Sequence, residues 1–190
     1  MSRIRITGGQ WRSRLVAVAD AQGLRPTPDR VRETLFNWLG QDLTGQSCLD
    51  LFAGSGVLGF EAASRGAGKV TLVEQDQNAF AALRQNAQLL GEERLELIRT
   101  DALKFAKAVA SSAADSQAAE KRRDRYNLIF LDPPYHQGWL MRIEAYLPQL
   151  AAPGARLYVE AEHAVPSLGP WASVRAGRAG QVYYQLLERP

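Results

Sequence analysis

The sequence predicts an α/β fold: a mostly parallel sheet with helices on both faces, preceded by a small hairpin-and-helix extension. Three observations predict it. From Ser47 onward, short apolar runs alternate with helical segments, which is the pattern of a parallel sheet covered on both sides. A glycine-rich turn, Gly54-Ser55-Gly56-Val57-Leu58-Gly59, joins the first of those runs to its helix. A chain of 190 residues, 46% hydrophobic, suits one domain with a proper core.

The elements follow in order. Residues 3–18 alternate and contain Gly8-Gly9, so they read as a short hairpin with a glycine turn. In LRPTPDRVRETLFNWLG, Thr27 suits a helix cap, Pro28 its first position and Gly40 its stop. Val31, Leu35, Trp38 and Leu39 share one face of that helix and leave Arg25, Arg30 and Arg32 free to point elsewhere. Strands are then predicted over SCLDLF, KVTLVE, LELIR, YNLIFLD and ARLYVEAE. The helices between them run to about Arg65 and over 77–90, 101–110 and 138–150. The tail adds a short strand near Ser173–Arg175 and a last one over QVYYQLLE, seven in all. Ser111 to Arg125, small and charged, reads as an exposed, mobile excursion without chemistry.

Composition narrows the function. No apolar run approaches the ~20 residues of a membrane span. The start MSRIRITGG lacks the apolar stretch of a secretory signal. Two histidines and a single cysteine, Cys48, argue against a Cys/His metal site and leave no internal disulfide. A soluble, cytoplasmic, monomeric protein without a metal is expected. The net charge of +3 is unevenly placed. Residues 1–40 hold seven arginines against three acids, a surplus of +4, which leaves −1 for the rest. The arginine fork matches phosphates and stacks on bases, so a polyanionic partner fits. The competing account is that these arginines are solvated or paired with acids of the body.

In an open α/β sheet, ligands bind beyond the carboxyl ends of the strands. The first four strands end at Asp50 and the glycines, at Glu74, at Asp101 and at Asp132-Pro133-Pro134-Tyr135. The glycine pattern with an acid about 20 residues on fits a dinucleotide site, although glycine turns of this kind are common. No Lys-Ser/Thr follows the glycines, so a Walker-type phosphate loop is excluded. Asp50 would repel a pyrophosphate but attract an ammonium or a sulfonium. Glu74 can take both hydroxyls of a ribose, and Asp101 can accept from an adenine amine. Together these point to S-adenosylmethionine.

The tetrad then lies beside the reactive methyl. An exocyclic amine conjugated to a base is a poor nucleophile. The Asp132 carboxylate and the Pro133 carbonyl can hold its hydrogens and keep it in line, and the prolines fix that geometry. Tyr135 can stack on a flat base. A stiff strand exit with a surface tyrosine is the bland alternative. Bland readings also suit Cys48 and Trp38 as core and His136 and His163 as solvated, while Trp11 stands evenly between packing and RNA stacking.

LDLFAGSGVLGFEAASRGA and LIFLDPPY resemble the first and fourth motifs of Rossmann-like methyltransferases acting on amine nitrogens. RITGGQWRSRL and RPTPDRVRETLFNWL narrow the resemblance to the RsmD family, bacterial guanine-N2 methyltransferases of 16S ribosomal RNA. It covers Arg5 to about Glu188. The resemblance implies a Rossmann-like class I fold with a seven-stranded, mostly parallel sheet. It implies an RNA-binding extension over 1–40 and an S-adenosylmethionine-binding catalytic domain over 41–190. The implied partner is 16S ribosomal RNA or the assembling small ribosomal subunit. By position, Asp50, Gly54, Gly56, Glu74 and Asp101 become the donor-binding set, with Phe52, Ala53 and Ala102 beside them. Asp132, Pro133, Pro134 and Tyr135 become the catalytic set. Arg5, Gly8, Gly9, Trp11 and Arg12 join Arg14, Arg25, Arg30 and Arg32 as the RNA-binding set. The Ser111–Arg125 excursion is longer than the resemblance leads one to expect.

Rival readings use the same residues. An adenine-N6 or cytosine-N4 DNA methyltransferase would need the same tetrad, but no segment is large enough for a separate DNA-reading domain. Protein glutamine methylation usually has Asn where Asp132 stands. A nicotinamide oxidoreductase leaves the tetrad unexplained. A non-catalytic RNA-binding assembly factor on the same fold is separated from an enzyme only by activity.

Overall fold

The computed structural model describes residues 2–18, 27–91, 93–114 and 125–190. Its centre is an eight-stranded sheet built from β3 (Ser47–Asp50), β4 (Lys69–Glu74), β5 (Leu95–Arg99), β6 (Tyr126–Leu131), β7 (Ala151–Ala161), β8 (Ser167–Leu168), β9 (Trp171–Ala179) and β10 (Val182–Glu188). The spatial order is β5-β4-β3-β6-β7-β10-β9-β8. The first five of these are parallel, and β10 runs antiparallel between β7 and β9. The seven expected strands are all present. The two-residue β8 edge is additional, and β9 is nine residues long where only Ser173–Arg175 was expected.

Helices α1 (Asp29–Leu39), α2 (Val57–Ser64) and α3 (Gln77–Leu90) cover one face, and α4 (Ala102–Ala114) with α5 (Trp139–Ile143) and α6 (Leu147–Leu150) the other. The single helix expected over 138–150 is broken by a 3-10 turn at Glu144–Tyr146. Pro148 is the cause: it has no N–H to give and its ring crowds the carbonyl of Glu144. α4 runs four residues past the expected Ala110, so Ser111 to Ala114 are helix, and 115–124 of the expected excursion lie outside the described residues.

The N-terminal hairpin pairs β1 (Ser2–Arg5) with β2 (Leu15–Val18). Its loop is closed by Ile6 N donating to Arg14 O and Ser13 N donating to Ile6 O, both at 2.9 Å. Gly8 and Gly9 do not form a tight turn there. They press the loop onto the end of α2, where a Cβ on Gly8 would strike the Arg65 guanidinium and one on Gly9 the Ser64 carbonyl. Gln10 N and Trp11 N donate to Ser64 O and Oγ at 2.7 and 2.9 Å. Ile4, Ile6, Trp11, Val16 and Val18 join Val31, Leu35 and Phe36 of α1 in the same buried cluster as the sheet face. α1 has no side-chain cap: Thr27 is buried, and its hydroxyl donates to Glu160 Oε1 at 2.7 Å. Cys48 is fully buried and its thiol is pushed up to about 12 by that burial, so it is core as expected. No helix among the described residues is long and apolar enough to cross a membrane.

Candidate functional site

The strand order reverses between β3 and β6, and a cleft of about 910 Å³ opens there beyond the strand ends. Asp50, Phe52, Ala53 and Gly54 enter it from β3, Glu74 from β4, and Ala102 from the start of α4. Asp132, Pro133, Pro134 and Tyr135 enter it from β6. The structure thus brings most of the two expected sets to one place.

The glycine turn is held by Ala53 N donating to Val73 O at 2.9 Å and Gly56 N donating to Ala53 O at 2.6 Å. Gly56 caps α2 with φ +76°, and a Cβ there would strike Leu83 and Phe60. A side chain on Gly56 would thus intrude on the helix–sheet packing, while Gly54 lines the cleft. Asp101 is also outside the lining. Its Oδ1 accepts from Lys104 N at 3.0 Å and caps α4, leaving Thr100 and Ala102 as the wall at that level. Glu74 Oε2 accepts from Gly54 N at 2.8 Å and Oε1 from Asp76 N at 2.7 Å. Each oxygen keeps a second lone pair for a hydroxyl, so Glu74 can brace the turn and still accept from a ribose.

Burial raises the Asp50 carboxyl to about 7, against the pull of the Gly59 N–H on its Oδ2 at 3.2 Å; the charge of Glu74 adds to the rise. Asp132, half-buried, is raised by desolvation and then by the charges of Glu160 and Asp50. Glu160 on β7 is itself raised by burial, against the hydrogen bonds of Thr27 and Tyr158. Three crowded carboxyls, each raised, favour a ligand that brings positive charge. Among the described residues, no His, Cys, Asp and Glu side chains gather into a group that could hold a metal ion.

Phe52 meets Trp139 edge-on at 5.4 Å. His136 is exposed as expected, but it takes a left-handed backbone at φ +60° and donates its N–H to Glu162 Oε1 at 3.0 Å, which pins the exit of the tetrad to the end of β7.

The expected RNA-binding set divides. Arg5, Arg12, Arg14 and Arg30 are exposed. Arg32 is fully buried: it binds Glu61 Oε1 at 2.6 Å, Asp29 Oδ1 at 2.5 Å and the Arg5 carbonyl at 2.8 Å. It was expected to be free because its partner Glu61 lies on another helix. Trp11, 5% exposed, packs in the core, and Gly8 and Gly9 dock the loop. Arg25 lies outside the described residues. Arg12 and Arg14 sit in the loop on Ser64, at the far end of α2 from the glycine turn. An eight-residue helix separates them from the cleft by roughly 12 Å.

Sequence reasoning missed Thr27, Arg178, Gln181 and Tyr183, which also line the cleft, and Glu160 behind it. The only signal for Glu160 was an acid set among the apolar residues at the end of its strand, Leu157 to Ala161.

Comparisons with known proteins show the family and the fold. The model of the family described as Conserved hypothetical protein 95 matches residues 4–188. Ribosomal RNA small subunit methyltransferase D of Escherichia coli K12 is 39% identical over 98% of this chain and 90% of its own length. The solved structure of a putative methyltransferase from Escherichia coli superposes with TM-score 0.81 at 38% identity, covering 99% of this chain and 98% of the other. An RNA methyltransferase from Salinibacter ruber, solved with S-adenosyl-L-homocysteine, shares the fold at TM-score 0.63 and 18% identity, over 87% of this chain and 94% of the other. The match runs along nearly the whole chain, through both the hairpin extension and the cleft, and the protein belongs to the ribosomal RNA small subunit methyltransferase D family.

Proposed function

We propose that the protein is an S-adenosylmethionine-dependent methyltransferase that modifies the exocyclic N2 amine of a guanine in 16S ribosomal RNA. The observation that carries this reading is the meeting of Asp50 and Glu74 with Asp132-Pro133-Pro134-Tyr135 in one cleft at the switch point of the sheet. The cleft volume lies within the usual range for a cofactor site. When bound, the donor supplies an electrophilic methyl on a sulfonium. Asp50 would face its positive end, Glu74 would offer lone pairs to its ribose, and Phe52, Ala53 and Ala102 would give apolar wall. Asp132 and the Pro133 carbonyl accept from the amine and hold its nitrogen in line, while Tyr135 supports the base. The proton leaves the amine after transfer, so positioning contributes more than base catalysis. A cation in the donor site also returns Asp50 and Asp132 toward their ionised forms, which makes Asp132 a better acceptor once the donor is in place.

The Asp50 carboxyl gives a pH test. Without ligand it holds its proton below about 7; a cationic ligand expels it. Affinity should therefore rise with pH through that value, by up to about tenfold per unit for one coupled proton, and then level off. Calorimetry in buffers of different ionisation enthalpy should show more proton release at pH 6 than at pH 8. A flat profile would separate Asp50 from the donor, and saturable NAD binding without a response to S-adenosylmethionine would sink the reading.

We also propose that the N-terminal segment, residues 1–40, holds flanking RNA through Arg12 and Arg14, with Arg5 and Arg30 beside them. Replacing Arg12 and Arg14 by Ala should flatten the log–log salt dependence of RNA binding by up to about 2 units, using ~0.7–0.9 per phosphate. Both side chains are exposed, so the melting temperature should hold. A lowered melting temperature with an unchanged slope would place the RNA elsewhere.

A further inference from the structure

We propose that the β9–β10 hairpin is a second RNA contact, in which Arg178 takes a backbone phosphate next to the nucleotide whose base enters the cleft. This rests on the RNA-methylation reading above. The sheet order places β3 and β4, with Asp50 and Glu74, on one side of β6, and β7 and β10 on the other. The tetrad at the end of β6 therefore has the donor on one flank and the hairpin on the other. Because β10 is antiparallel to β7, its first residues return to the sheet edge where the parallel strands end. Arg178, Gln181 and Tyr183 line the cleft there.

Arg178 is built to present charge. It pairs across the hairpin with Tyr183, and its guanidinium lies 4.9 Å from the centre of that ring. Its Nε donates to Gly180 O at 2.9 Å, which fixes the direction of the fork. The two Nη groups remain, and among the described residues Arg178 makes no ion pair. Among the described lining residues it is the one Arg or Lys. A planar fork held by a ring stack and aimed beside a nucleotide cleft suits a phosphate. Arg32, Arg12 and Arg14 do not fill this place, because Arg32 is buried and Arg12 and Arg14 stand about a helix length away.

The test uses the full-length protein, labelled S-adenosylmethionine and small-subunit ribosomal RNA from a strain that lacks the modification. Arg178→Ala should raise the KM for RNA about three- to tenfold, an exposed charged contact being weaker than a buried one, with kcat changing less. The salt slope should flatten by about 0.7–0.9, one phosphate. Donor affinity and melting temperature should stay at wild-type values. Tyr183→Ala should reproduce most of the KM rise and Tyr183→Phe should recover it, because the ring is what orients the fork. The Arg178→Ala, Tyr183→Ala pair should be no worse than Arg178→Ala alone. Wild-type KM and slope in Arg178→Ala would overturn the proposal, as would a loss explained by melting. If the wild-type protein itself transfers no methyl to this RNA, the function reading fails, and that result is separate because it precedes any variant.

Discussion

Asp132→Ala is expected to slow single-turnover methyl transfer by about 10²–10⁴-fold, the range for removing a positioned polar group at the reacting centre. Donor binding should persist, because Asp50, Glu74 and the glycine turn come from β3 and β4. The structure adds a second expectation. Asp132 is raised by burial and by the charges of Glu160 and Asp50. A carboxyl raised in the folded state holds its proton when folded and loses it on unfolding. Above the ordinary carboxylate range, rising pH therefore favours unfolding until the folded value is passed. Removing Asp132 relieves that cost and also eases its two neighbours. The variant should melt no lower than wild type at pH 8 while its chemistry is lost, as expected where a site is strained for function. Transfer within about threefold of wild type would mean that the carboxylate does not hold the amine. A collapse of stability would mean that Asp132 is structural.

Glu61→Ala is expected to destabilise the fold by about 3–5 kcal/mol, the cost of leaving a buried charge without its partner. Glu61 is inaccessible to solvent and joins the N-terminal segment to α2. Its Oε1 accepts from Arg32 Nη1 at 2.6 Å, Thr7 N at 2.7 Å and Thr7 Oγ1 at 2.9 Å. Its Oε2 accepts from Arg65 Nη1. Removal takes the shared carboxylate from two buried guanidiniums at once: Arg65 loses its ion pair, and Arg32 keeps only the more exposed Asp29. Urea unfolding should show the loss, and donor-dependent transfer should fall with it, since Thr27 lies five residues before Arg32, gives it a carbonyl at 3.2 Å and lines the cleft. Glu61→Gln, which keeps an acceptor, should lose less. A cost below about 1 kcal/mol would show that the network is incidental.

The residues whose place in the cleft was legible in the sequence are those fixed by their position on a strand. Asp50, Glu74 and Asp132 stand just at or past apolar runs, and parallel strands must release such residues at one edge of the sheet. What stayed hidden depends on partners distant in the chain. Arg32 read as a free cation although Asp29, three residues before it, is one of its partners; the buried Glu61, 29 residues on, is the one its helix does not reveal. Gly8-Gly9 read as a turn because the Ser64 and Arg65 surface they press against is more than 50 residues away. Glycines also misled at Gly56, where the need is space for Leu83 and Phe60 and not close approach to a ligand. β9 is largely exposed and carries small residues, so it lacks the apolar alternation that marks a strand. The wall formed by Arg178 and Tyr183 follows from the antiparallel insertion of β10 beside β7, and strand–helix alternation does not encode that order.

The most direct measurement of the central claim is nucleoside mass spectrometry of small-subunit ribosomal RNA after reaction with the protein and isotopically labelled S-adenosylmethionine. The account predicts one labelled N2-methylguanosine, formed by the wild-type protein and formed far more slowly with Asp132→Ala. Label in N6-methyladenosine or N4-methylcytosine, or donor binding without any label in the RNA, would contradict it.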